Sequence, residues 1–152
     1  MIISFTMVST TSFATTNENP EITDPTAIVW EYQIVDANGN IIETGVMTNS
    51  MQRLSWAGPT LKNGETAFFR PTDKKGLYAV TDTAMNITWR LDRKAKHKAS
   101  VRGYHSGQGF EVTKTATSGT KSYTTKCNDF FYGMITNLSS DSIKVKSFGI
   151  TF

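Results

Sequence analysis

The segment Ala84 to Asp92 alternates without a break: Met85, Ile87, Trp89 and Leu91 fall on one side, and Asn86, Thr88, Arg90 and Asp92 on the other. Successive side chains of an extended backbone point to opposite faces, so this pattern predicts a strand with one face on an apolar core and one in water. No window of helical length shows a 3.6-residue period. Ile28 to Val35 repeats the two-residue pattern, with Ile28, Trp30, Tyr32 and Ile34 on one side. After Asp36-Ala37-Asn38-Gly39-Asn40 a second apolar run, Ile41 to Met47, follows. Asn-Gly between two such runs predicts a hairpin with a type I′ tip, which needs positive φ at both central residues.

Further strands are predicted over 66–69, 77–81, 99–104, 110–115 and 121–127, with Ser118-Gly119 as the turn between the last two. Phe130 to Thr136 is almost continuously apolar, which predicts a central strand buried on both faces. Ile143 and Val145 share a face, but beyond Ser147 the apolar set shifts to Phe148, Ile150 and Phe152. A one-residue phase change on a continuing strand predicts a bulge near Ser147-Phe148. Eight to ten short strands at this spacing predict an all-β fold, an antiparallel β-sandwich of jelly-roll type. The chain of 152 residues is long enough for one such domain, placed at 27–152.

Met1 to Ala14 is uncharged, and Ser12-Phe13-Ala14 has the small-x-small form of a signal-peptidase site, although no basic segment precedes it. Residues 1–14 therefore read as a signal-peptide remnant, 15–26 as a flexible lead-in, and the protein as secreted or displayed at the cell surface. Cys127 is the single cysteine, so no internal disulfide stabilises the fold. It reads as buried, the alternative being an intermolecular disulfide.

Net charge is +3, but unevenly placed. Residues 1–73 hold eight acids and three bases, whereas 74–152 hold thirteen bases and five acids. The densest stretch, RLDRKAKHKASVR, brings together Arg90, Arg93, Lys94, Lys96, His97, Lys98 and Arg102. Its centre, Asp92 to Lys98, lies between two well-patterned segments and is expected to be a loop connecting two strands. Adjacent like charges repel, so folding alone does not favour this cluster. Such a basic tip suits an anionic polymer, a glycan or a lipid surface, and after export these fit better than nucleic acid. The competing account is a solvated, aggregation-resistant edge.

Flat aromatic rings beside polar groups also suit sugars. Trp30 and Trp89 fall on apolar faces, which leaves Trp56 and Tyr104 as the binding rings. His97 and His105 are eight residues apart, roughly 26 Å along a straight strand at about 3.3 Å per residue, too far to share a metal. No cofactor motif or nucleophile elbow is present. The leading expectation is a non-enzymatic binding module. The alternatives are a structural subunit that assembles as a homo-oligomer in a matrix or surface layer, and a glycan-active enzyme.

Overall fold

The computed structural model describes residues 28–49, 58–71 and 75–152. The segments read above as signal remnant and lead-in, and Trp56, lie outside them. Among the described residues there are nine strands and no helix. They are β1 (Ile28–Val35), β2 (Ile41–Asn49), β3 (Thr60–Leu61), β4 (Thr66–Pro71), β5 (Leu77–Ala79), β6 (Ala84–Gly103), β7 (Gly109–Thr124), β8 (Asp129–Asn137) and β9 (Ile143–Thr151). Every pairing is antiparallel, in the order β2-β1-β4-β8-β6-β9-β3, with β5 also on β8 and β7 also on β6.

The architecture turns on β6, which runs for 20 residues. Its first part, Asn86 to Leu91, pairs with β9, while His97 to Gly103 pairs with β8. Between them the registers slip against β7 and against β9. There the strand bends sharply enough for Trp89 Nε1 to donate to His97 Nε2 at 2.7 Å, although a straight strand would hold them roughly 26 Å apart. β6 thus belongs to both layers of an antiparallel, jelly-roll-like sandwich, and β7 follows it round the bend.

Inward side chains of the two layers meet in one core. Phe148 of β9 stacks on Phe69 of β4 at 4.7 Å and meets Trp30 of β1 edge-on at 6.1 Å. Its ring lies so close over Gly133 of β8 that a Cβ there would strike it. Met85, Ile87, Trp89 and Leu91 are all buried, whereas Asn86, Thr88, Arg90 and Asp92 are exposed, as the alternation requires. β8 is central as expected, but only one of its faces is buried; the other is half-buried. The bulge in β9 is present: Arg90 pairs with Ser147 but Leu91 with Val145, leaving Lys146 as the extra residue.

Several local expectations are corrected. Asp92 to Lys98 is not a connecting loop but the bent middle of β6. Ser118-Gly119 is not a turn: β7 runs straight through it, paired with Arg90 and Trp89. Gly119 is there because the Trp89 indole occupies the space a side chain would fill. The β1–β2 connection does form a hairpin, closed by Gly39 N donating to Asp36 O. Of its residues only Gly39 has positive φ, so it is a type I turn with a following left-handed glycine, not type I′. Phe152 is exposed rather than part of the β9 core face. Cys127 is a free thiol, only partly buried.

Candidate functional site: an aromatic and polar cleft on the outer sheet

The same alternation that sends Trp30, Tyr32 and Ile34 inward sends Glu31 and Gln33 to the outer face of β1. Neither is solvated: they are 3% and 2% exposed. Cross-strand register builds the surface around them. Glu31 lies opposite Arg70, and Gln33 opposite Phe68, which lies opposite Met134 of β8. Tyr132, the next outward residue of β8, lies opposite Arg102 of β6. Glu31, Gln33, Phe68, Arg70, Lys75, Tyr104 and Tyr132 line one small, partly open cleft, whose enclosed space is about that of one water, with Phe69 behind it.

The groups in this cleft are differently committed. Arg70 Nε sits 3.5 Å from Glu31 Oε2, the carboxylate almost wholly buried. That pairing removes the isolated charge that burial would otherwise penalise. Gln33 Nε2 is buried and has no hydrogen-bond partner among the described residues. Tyr132 and Phe68 pack with ring centres 6.2 Å apart. Burial pushes the Tyr132 phenol above its ordinary range, although the Arg102 charge pulls the other way. It stays a neutral hydroxyl that can donate or accept. Lys75 Nζ lies 5.0 Å from the centre of the Tyr104 ring.

Tyr104 is placed by the turn joining β6 to β7, and Asp129 holds that turn. Asp129 is 2% exposed and accepts from the backbone N–H groups of Ser106 at 2.7 Å, Phe130 at 2.8 Å and His105 at 3.1 Å. Burial alone would raise its pKa, and that is the largest single influence. The bonds from Ser106, side chain and backbone, with those from His105 and Phe130, outweigh it and hold the carboxyl below the usual range. Tyr104 N in turn donates to Phe130 O at 2.8 Å. Gly103 lacks a side chain because the Asp129 carboxylate and Ser106 hydroxyl crowd its Cα.

The basic residues singled out in the sequence do not converge on one surface. Arg93, Lys94 and Lys96 are exposed at the bend, with Arg93 Nε 3.4 Å from Asp92. Arg90 is on the outer side of the other layer, opposite Ser147. Lys98 and Arg102 lie on the face that carries the cleft, and both reach Glu111, at 3.4 and 3.5 Å. His97 is fully buried, its Nδ1 2.9 Å from Ala95 O, so it is a core residue and not part of a binding surface. Its Nε2 accepts from Trp89, which leaves Nδ1 as the donor.

Of the residues proposed from sequence that the structure describes, Tyr104 alone lines the cleft. Glu31, Gln33, Phe68, Arg70, Lys75 and Tyr132 were missed. The available signal was in the doubled aromatics: Phe68-Phe69 and Phe130-Phe131-Tyr132 cannot place every ring in one core when the backbone is extended.

No family model and no curated protein matches the chain. A solved structure that does match is that of the Clostridium thermocellum N-terminal endo-1,4-β-D-xylanase 10B, CBM22-1 and GH10 modules, complexed with xylohexaose. The identity is 14% and the TM-score 0.41, with 81% of this chain and 24% of that chain covered.

Proposed function

We propose that this chain is an exported, non-enzymatic module that binds a glycan in the cleft formed by β1, β4, β8 and the β6–β7 turn. The observation that carries the reading is Gln33: a buried amide donor with no hydrogen-bond partner among the described residues, in a cleft walled by Phe68, Tyr104 and Tyr132. Buried polar groups normally find partners, and one that does not needs a reason. Sugar hydroxyls supply acceptors for an amide, and the C–H faces of a sugar ring suit aromatic walls. Among the described residues Glu31 is the one carboxylate lining the cleft, and Arg70 engages it. Glycoside hydrolysis commonly needs a pair of carboxyl groups about 5–9.5 Å apart, which favours binding over cleavage.

The test is electrophoresis through gels containing xylan, β-glucan, mannan or polygalacturonate. At least one polysaccharide retards the wild type, and Tyr104→Ala and Gln33→Leu each abolish that retardation while keeping the circular dichroism spectrum. Free migration in all four, or retardation that survives both substitutions, rejects the cleft as the site.

A second reading is favoured by the exposure of Arg93, Lys94 and Lys96 at the bend of β6. These side chains form a contact for an anionic polymer or lipid surface. Salt-dependent retention on an anionic resin that disappears on changing all three to Ser supports it. Retention that persists refutes it.

A further inference from the structure

The cleft does not end at Tyr104. His105 meets the Tyr104 ring edge-on at 4.9 Å and the Phe130 ring at 6.4 Å, and Phe130 meets Tyr78 at 5.1 Å. Tyr78 lies opposite Phe130 in the β5–β8 ladder and is 54% exposed. Phe130, Tyr132 and Met134 are successive outward residues of β8. Phe130 and Met134 are therefore roughly 13 Å apart at about 3.3 Å per residue. The aromatic surface is thus a strip, with the cleft at one end and Tyr78 at the other.

Folding does not account for the outer end. A large ring left half in water beside Phe130 forfeits burial that a core position would give, and Val80, 51% exposed, extends the same apolar surface. The strip is also pre-set. Asp129 fixes the backbone of His105 and of Phe130 through the bonds described above. Rings held in place before binding lose little freedom on binding.

We propose that Tyr78, Phe130 and His105 form a second sugar subsite continuous with the cleft, so that the ligand is a linear glycan lying along β8. The proposal rests on the cleft reading and adds to it the chain length and direction of the ligand. Lys75, Tyr104 and Tyr132, which line the cleft in front of the buried Gln33 and Glu31–Arg70 pair, hold one sugar, and the outer rings take the next sugars by their apolar faces. The outer subsite contributes only to oligosaccharides long enough to reach it.

Calorimetric titration with mono-, di- and hexasaccharides of the polysaccharide that retards the protein measures this. Wild type gains on the order of tenfold in affinity from disaccharide to hexasaccharide, equivalent to one good aromatic contact. In Tyr78→Ala that gain collapses, and the hexasaccharide binds about as the disaccharide does. Tyr104→Ala weakens both and keeps the gain. A full gain in Tyr78→Ala, with Tyr104→Ala weakening both ligands, overturns the outer subsite and leaves the cleft reading standing. No titration with any of them overturns both. Sedimentation of wild type as a dimer that Tyr78→Ala dissociates overturns the subsite in favour of a second copy of the chain.

Discussion

Asp129→Asn isolates the group that fixes the β6–β7 turn, and its effect can be worked from the bonds. Oδ1 accepts from Phe130 N and His105 N, and Oδ2 from Ser106 N and His105 N. Both oxygens are in use, so whichever way the amide is turned its NH2 faces a backbone N–H. At least one donor, Ser106 or Phe130, then lacks an acceptor, and the remaining bonds are no longer charge-assisted. Hydrogen bonds to a charged group contribute about 1.5–3 kcal/mol, and neutral ones about half that. The relief of burying a neutral group instead of a charge offsets part of the loss. A net destabilisation of about 3 kcal/mol follows, or a fall in melting temperature of roughly 6–12 °C for a chain of this size.

The pH dependence separates this cause from a general packing defect. The folded pKa of Asp129 lies below its unfolded value, so its contribution is present above about pH 4 and is lost as the pH falls through the folded value. Every other carboxylate titrates alike in the two proteins and cancels in their difference. Melting of wild type and Asp129→Asn near neutral pH shows the full gap, and near pH 3 the gap narrows. A gap of the same size at both pH values, or no gap at neutral pH, refutes the clamp. Because the turn carries Tyr104, the variant also loses retardation by polysaccharide at temperatures where it is still folded.

His97→Ala leaves Trp89 Nε1 buried without an acceptor and opens a cavity, destabilising by about 2–4 kcal/mol in denaturant unfolding. His97→Gln, which can still accept, loses less. Gly119→Ala forces a methyl group into the Trp89 ring and costs about 1–3 kcal/mol. Gly39→Ala meets open space and only a strained φ of +86°, so its cost is about 1 kcal/mol by the same measurement. Changing Arg93, Lys94 and Lys96 to Ser changes the stability read from denaturant unfolding by no more than the roughly 0.5 kcal/mol per site typical of surface positions. A large loss there means the bend depends on those side chains.

Layering was legible because it rests on a local rule. The faces of 85–91, the central place of β8 and the bulge in β9 each follow from the period of two, and burial on one face leaves no freedom to slip. The cleft was not legible for the opposite reason. Glu31 and Arg70 are far apart in sequence and meet only through the β1–β4 register. Tyr104 reaches them only because a carboxylate on β8 holds its turn. Outward positions carry no period of their own, so nothing local distinguishes a cleft wall from a solvated face.

The bend in β6 shows how one geometry can present itself as another. A bulge lets consecutive side chains break the alternation, and Asp92, Arg93 and Lys94 are all exposed in a row. Three exposed polar residues between two apolar-patterned segments look like a loop. What they lack is a glycine or proline, a signal the loop reading did not use and one that fits a strand that bends without ending. Past the bend the alternation resumes, with Ala95, His97 and Ala99 inward, and this brings the His97 ring to the Trp89 indole on the inner side. The outer side of the same bend is where the residues that cannot pack inward must go, so the crowding of Arg93, Lys94 and Lys96 follows from the fold. The fold thus accounts for where the cluster sits, and the resin experiment decides whether it also binds.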